Sequence, residues 1–421
     1  MERLSPLPPA HPASWKWWIC GLLLFASMIN YMDRQTLANA SVRITSQFQL
    51  RQEQYGNLEM AFGWAFAAGS FLFGFVADRW PLRWVYPAVL FLWSATGFAT
   101  GLVHDYTGLL VCRTFLGFFE AGHWPCAIKT TQLLLTPSDR ALGNGILQSG
   151  TSLGAVITPL IMRALMTDEI GSWRFSFQAV GLFGIAWIAA WFFLVGKNDL
   201  HTGTSQATAP ASAGLTDPGL WRAVFSRRML IVLIMVACIN TCWQILRAWL
   251  PKFLMEGRGY AEASALYFNS LFYIASDAGC LGAGALAVWL AQRGPSLLKA
   301  RLSVFFIFAI LTALTTVAAL SPRGWFLLAI LLLVGAGALG VFPVYHALSQ
   351  DISARHQGKI TGLAGLAAWG FSPVQKYFGR LVDQTGSFNL GLGLAGWLPL
   401  LAFVCLWLGW RKTETANPQS S

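Results

Sequence analysis

Apolar runs of about 20 residues, the length a helix needs to cross a bilayer, recur along this chain with short polar breaks between them. They predict spanning helices over 16–38, 55–77, 84–103, 107–130, 141–164, 174–196, 229–254, 264–290, 298–320, 323–349, 357–381 and 387–410. Most connections are a few residues long. The exception, 197–228, is rich in Ser, Thr, Ala, Pro and Gly and reads as a flexible linker. It divides the runs six and six. The expected fold is therefore an all-α membrane protein of twelve transmembrane helices in two pseudo-symmetric six-helix bundles. The expected parts are a first bundle over 1–196, the linker over 197–228, a second bundle over 229–410 and a tail over 411–421.

Composition agrees. Of 421 residues, 55% are hydrophobic and 11% charged, against about 25% charged in soluble domains. Forty-one glycines suit close helix packing in lipid, and 20 Trp and 30 Phe suit a lipid-facing surface with aromatic belts. The net charge of +11 is spread over short loops rather than gathered in one patch, which excludes a nucleic-acid-binding reading. Seven cysteines all lie in apolar runs without metal or disulfide spacing. No phosphate-binding loop, metal-spacing motif or nucleophile motif is present, so neither ATP-driven transport nor an enzyme is expected. With both termini inside, 17 of the 29 Lys and Arg fall on the cytoplasmic face, nine on the other, and three within spans. That bias predicts a multi-pass protein of the cell membrane with cytoplasmic termini and linker.

Charges inside spans are costly and need partners, water or a function. The acidic ones are Asp33, Glu59, Glu120 and Asp277, and the basic ones Arg34, Arg113 and Arg247. Asp33 and Arg34 are adjacent, so they point about 100° apart and face different neighbours. Tyr31 and Arg34 share a face. Arg113 and Glu120 lie two turns apart on one face, where they flank one cavity and leave Arg113 free to reach Asp33. Two readings stand for this group: a proton- and anion-handling site, or a structural ion-pair network. Polar stripes run along the fifth, seventh, eighth and tenth spans, the fifth through Asn144, Gln148 and Ser152. Their recurrence favours a wetted cavity. Asp277 is placed to pair with Arg247. Glu59, one turn into its span, reads as interfacial, and His346 as a packing residue.

These residues carry a resemblance. Gly74-x3-Asp78-Arg79-x3-Arg83 resembles the cytoplasmic loop motif of the major facilitator superfamily, with Pro81 in place of its second Gly. A basic loop over 291–301 occupies the matching place in the second half. Asn30-Tyr-Met-Asp33-Arg34, Arg113-x3-Gly117-x2-Glu120 and Glu120-Ala-Gly-His-Trp-Pro125 resemble the anion:cation symporter family, whose members carry sugar acids and other organic anions. Ala141-Leu-Gly-Asn-Gly145, Trp249-Leu-Pro251-Lys252, Asp277-x-Gly279 and Arg293-Gly294 support the match. The resemblance implies proton-coupled symport of a small organic anion, a hexuronate or aldonate, powered by the proton gradient with no cofactor. Asp33 and Glu120 would be the protonation pair. Arg34 would hold the substrate carboxylate, with Tyr31, Gln148, Trp369 and Ser372 as further substrate contacts. Arg113 would pair with Asp33, while Asp78, Arg79 and Arg83 would form a loop latch. Relatives commonly read Glu-Ala-Gly-Asn-Phe-Pro, so His123 and Trp124 are departures, as is Phe66 where a Tyr is frequent. The expected partners are the anion, protons and lipid, and the expected state is a monomer.

Overall fold

The computed structural model describes residues 14–136, 139–197, 199–200, 224–293, 296–350 and 357–410, with positions 12, 222 and 352 besides. At 78, 140, 141, 350, 357–359 and 361 it describes the backbone alone. Most of the central linker and all of the tail lie outside the described residues.

The described chain is helical. The segments are α1 (Trp15–Gln47), α2 (Gln52–Arg79), α3 (Leu82–Thr100), α4 (Tyr106–Glu120), α5 (His123–Leu134), α6 (Arg140–Leu165) and α7 (Trp173–Leu194) before the linker. After it come α8 (Arg227–Lys252), α9 (Glu262–Gln292), α10 (Leu297–Ala313), α11 (Thr315–Leu320), α12 (Trp325–Gly340) and α13 (Phe342–Gln350). The last are α14 (Gln357–Gly370), α15 (Pro373–Thr385), α16 (Asn389–Ala395) and α17 (Leu398–Gly409). Joined end to end, α4–α5, α10–α11, α12–α13, α14–α15 and α16–α17 make five broken rods, and the set becomes the twelve expected. Among the described residues, eight rods are long and apolar enough to cross a membrane by length and composition alone. Large apolar side chains such as Phe193 and Trp325 are exposed on the outside, as a lipid-facing surface requires.

The breaks were not visible in hydropathy, which ignores backbone donors. Four have a proline in the first turn of the second segment: Pro125, Pro343, Pro373 and Pro399. Proline has no N–H to donate and clashes with the preceding turn, yet fits the first turn of a new helix. The same residue therefore ends one segment and starts the next. Starts elsewhere are capped: Asp105 accepts from the Gly108 amide at 2.6 Å and Ser226 from the Met229 amide at 3.1 Å. Helix α15 ends at Gly386, whose φ of 64° is a left-handed conformation that suits glycine.

Helix α1 runs nine residues beyond the predicted end at 38, to Gln47. Of the polar residues that stopped the apolar run, Asn39, Ser41 and Thr45 are buried, with Asn39 accepting from the Asn269 amide at 2.8 Å, and Arg43 donates to Glu262 at 2.7 Å. The hydroxyls of Ser41 and Thr45 donate to the carbonyls of Ala38 and Ser41 at 2.7 and 2.8 Å.

By packing, the chain falls into two compact units, Met1–Leu37 with Ala68–Ser205, and Ala38–Ala67 with Gln206–Ser421. This grouping follows contacts rather than chain order, so 38–67 joins the C-terminal chain. In the first unit, glycines let backbones meet. A Cβ at Gly150 would lie 2.1 Å from the Leu24 carbonyl oxygen, and one at Gly154 2.6 Å from that of Met28. This Gly-x3-Gly spacing sets α6 directly on α1. Trp187 and Trp191 fill the interior, and their indole N–H groups donate to the carbonyls of Leu22 and Arg83 at 2.7 and 3.0 Å. At the start of α1, Lys16 and Thr136 hydrogen-bond Asp139 and hold its carboxyl below the usual carboxylate range. In the second unit, Gly279 of α9 meets the backbone of Ala336 on α12, and Gly56 meets that of Gln375. Its core gathers Val232, Met235, Phe305, Val344 and Leu406. All seven cysteines are free thiols.

Candidate functional site

In the first unit, α1 and the end of α4 bring most of the intramembrane charges together. Arg34 donates from Nε to Glu120 Oε2 at 2.7 Å, and from a terminal nitrogen to Asn30 Oδ1 at 2.8 Å. Asn30 lies one turn before Arg34, so one helix face presents both groups. The Asn30 amide in turn donates to the Glu120 backbone carbonyl at 3.3 Å. That carbonyl is open because α4 ends at Glu120, and the last carbonyls of a helix lack intrahelical donors. The guanidinium also lies over the Tyr31 ring, 5.9 Å from its centroid. Arg34 is 6% exposed and Glu120 fully buried, so the pair sits at low dielectric with a narrow opening on the arginine side.

Asp33 faces another way, as its one-residue offset dictates. It is fully buried, and neither carboxylate oxygen accepts a hydrogen bond. The charges that act on it are Glu120, Arg113 and Arg34. It points at α3, where a Cβ on Gly97 would come within 2.8 Å of Oδ1. Arg113, fully buried on α4, lies in the same cluster. The sequence reading gave Arg34 to the substrate and placed Arg113 beside Asp33. The structure adds the Arg34–Glu120 hydrogen bond and sets Asp33, whose oxygens accept no hydrogen bond, in the field of both Arg113 and Arg34.

The break after Glu120 carries a histidine. His123 is fully buried, with Ser27 Oγ 2.9 Å from Nε2 and the Tyr86 hydroxyl 2.9 Å from Nδ1. Both ring nitrogens are thus used, tying α5 to α1 and α3. Indole and phenol rings enclose the imidazole, with Trp93 and Trp124 at centroid distances of 5.9 and 5.0 Å. Sequence reasoning singled out His123 as a change to the pocket. It missed Ser27, although Ser27, Asn30, Tyr31 and Arg34 fall at helical spacing on one face of α1. Gln148, on α6, is exposed, with its amide 3.4 Å from Thr151 Oγ1.

A second buried pair, in the second unit, corrects the interfacial reading of Glu59. Arg247 donates to Glu59 Oε2 and, from Nε, to Gln244 Oε1 at 2.7 Å. Glu59 is thus an acidic partner of Arg247 in this unit, and Asp277 is half-buried on α9. Glu59 is 3% exposed and not interfacial. Helix α2 begins at Gln52, so Glu59 stands two turns in, where its side chain reaches α8. Around it, the Tyr55 hydroxyl donates to the Ala248 carbonyl at 2.9 Å, and the Trp249 indole to Gln375 Oε1 at 2.6 Å. Trp369 packs on Phe62 and Phe66 with centroids at 5.8 and 4.8 Å. Ser372 donates to the Trp369 carbonyl at 2.5 Å and abuts Gly63. The two C-terminal substrate candidates are therefore packed against α2. The His346 ring lies 4.6 Å from that of Tyr345 at a tilt of 48°, and His346 is exposed.

Of the loop motif, the side chain of Asp78 lies outside the described residues and Arg79 is exposed. Arg83 donates to the Val195 carbonyl at 3.0 Å and lies over the rings of Trp84 and Phe192. It fastens the start of α3 to the end of α7.

Comparison with known proteins agrees with this architecture. The family model of the Major Facilitator Superfamily matches residues 23–375. The chain is 27% identical over 392 residues to a probable L-galactonate transporter of Escherichia coli K12, covering 89% of this chain and 85% of the relative. It is 27% identical to a probable sulfoacetate transporter of Cupriavidus necator, covering 90% of each. It is 26% identical to a hexuronate transporter of Bacillus subtilis 168, covering 94% of this chain and 97% of the relative. Among solved structures, a bacterial homologue of the human lysosomal transporter Spinster aligns with a TM-score of 0.75 at 17% identity, over 95% of this chain and 96% of that one. A D-xylose–proton symporter aligns at 0.74 and 16%, over 95% and 99%. At these identities the structural matches speak to the fold.

Proposed function

The chain belongs to the major facilitator superfamily and is a multi-pass membrane transporter, not an enzyme, and from that premise we propose that it carries a small organic anion, a sugar acid such as a hexuronate or aldonate, together with protons. The observation that carries this reading is the buried Arg34–Glu120 pair braced by Asn30. A planar guanidinium recognises a carboxylate through parallel N–H bonds. In the resting site Glu120 fills that role. A proton arriving on Glu120 removes its charge and loosens it from Arg34. The substrate carboxylate then takes its place, and departure of the proton restores the first pair. One monoanion and one proton together carry no net charge, so the loaded site has the same buried charge as the empty one. Asp33, held by no hydrogen bond, is the second protonation candidate. Tyr31 lines the same face as Arg34 and would orient the substrate, with Gln148 as a weaker contact.

The relatives' names support an organic anion as cargo, and the Lys/Arg bias supports the cell membrane with both termini cytoplasmic. The test is uptake into proteoliposomes. Hexuronates and aldonates should drive proton entry and be accumulated by an inward proton gradient, and neutral hexoses should not be carried. Transport without proton movement, insensitive to the gradient, would overturn symport. One observation favours a second reading, anion exchange: Arg34 already holds a carboxyl group, that of Glu120, and an incoming substrate carboxylate can displace it directly. Counterflow with no gradient dependence is its signature.

Gly97 provides a further test. Alanine there sits 2.8 Å from Asp33 Oδ1 and must push aside the end of a flexible side chain. The substitution Gly97→Ala should leave the melting temperature within about 2–4 °C, the effect of roughly 1 kcal/mol, while changing the pH profile of uptake. An unchanged profile would remove Asp33 from the coupling machinery.

A further inference from the structure

A cleft of about 450 Å³ opens in the second unit where the last turns of α9 meet the start of α10 and α13. Its walls are small or branched apolar residues, Gly284, Ala287, Ala291, Val344 and Ala347, and Arg301 lines it as well. From Gly284 to Gln292 is eight residues, so the wall on α9 is about 12 Å long at 1.5 Å per residue. That is a slot for several methylene groups. A Cβ on Gly284 would meet nothing within 4 Å, which leaves the slot open at that point.

Among the described residues, the charges at this end are basic. Arg293, whose guanidinium lies 3.9 Å from the Trp289 ring centroid, and Lys299 join Arg301 here. From Ala278 to Gln350 the chain has no acidic residue, so α10 to α13 bring no carboxylate to the cleft. Trp289 is 46% exposed beside it, and an exposed indole next to arginine at a helix end marks the headgroup level of a membrane. An apolar slot running along spanning helices, with guanidinium groups at its headgroup end, is complementary to one ubiquitous ligand of a membrane protein.

We infer that this cleft is a binding site for an anionic phospholipid, whose phosphate is held by Arg301 and Arg293 and whose acyl chain lies in the slot along Gly284, Ala287 and Ala291. A bound lipid cross-braces α9, α10 and α13. The site is separate from the arginine–carboxylate cluster and does not depend on which anion is carried.

The full-length protein is placed in phosphatidylcholine vesicles with and without phosphatidylglycerol. Because both leaflets carry the added lipid, the direction of insertion does not matter. Phosphatidylglycerol should raise the melting temperature of the wild type and be retained in native mass spectra. Arg301→Gln should lower its retention about fivefold, the effect of one basic residue at an anionic lipid surface. Gly284→Leu, which fills the slot without altering charge, should lower retention as well. Arg301→Lys should keep most of it, which guards against reading a folding defect as lost binding. Equal retention in Arg301→Gln and wild type, or indifference to Gly284→Leu, would overturn the proposal. So would an equal melting shift with inorganic phosphate in phosphatidylcholine, because a free anion would then suffice.

Discussion

Glu120→Gln is expected to lose gradient-driven accumulation of the substrate by about 100-fold or more, the lower range for removing a proton-transferring group, while counterflow exchange persists. The substitution keeps the shape of the side chain and an oxygen for the Arg34 Nε–H, which now donates to it at 2.7 Å. What it removes is the titration. A neutral amide no longer competes strongly with a carboxylate for the guanidinium, so substrate still reaches Arg34, but no proton accompanies it. Arg34→Lys is the control with the opposite pattern. Lysine keeps the charge but not the fork that serves Glu120 and Asn30 at once, so accumulation and counterflow should fall together. Proteoliposome assays with and without a pH gradient separate the two. Equal loss of both activities in Glu120→Gln would sink the coupling role.

Breaking the second buried pair should cost stability instead. Arg247→Met leaves Glu59 charged at 3% exposure without its guanidinium, and removing one member of a buried ion pair typically costs about 3–5 kcal/mol. Glu59→Leu combined with Arg247→Met removes both charges and fills similar space, and such replacements are often neutral or better. The expected result is a strongly lowered melting temperature in detergent for the single variant and a largely restored one for the double. Identical melting of the wild type and both variants would show that the pair contributes nothing to the unit.

The difference between these two pairs explains what the sequence could tell. Hydropathy located the rods because a bilayer imposes one length on every span, and the spacing of Tyr31 and Arg34, or Arg113 and Glu120, follows from 3.6 residues per turn. Which helix faces which is not written in either pattern. The sequence offered Asp277 to Arg247, and the pairing with Glu59 depends on α2 lying against α8, where the Tyr55 hydroxyl also donates to the Ala248 carbonyl. Arg34 and Glu120 are 86 residues apart, and their pairing needs α4 to stop at Glu120. That stop is set by Gly122 and Pro125, residues that hydropathy scores as unremarkable members of an apolar run. Ser27 and Tyr86 were invisible as partners of His123 because a hydroxyl within a span ordinarily bonds its own helix, as Thr36 does to the Met32 carbonyl at 2.8 Å.

The interrupted rods have a mechanical consequence. At four of the breaks the last amide bonds three residues back instead of four: Gly122 to Phe119, Leu314 to Leu311, Ser372 to Trp369 and Trp397 to Leu394, at 3.1, 3.3, 3.1 and 3.1 Å. A rod with a missing rung has low bending stiffness there. By contrast, α1, α2 and α9 run unbroken for 33, 28 and 31 residues. Amides at the breaks should exchange with solvent deuterium through small local openings, while those in the long rods wait for larger ones. The chain thus combines stiff levers with flexures, and a change of shape can be stored as curvature within single rods as well as in rotation of whole bundles.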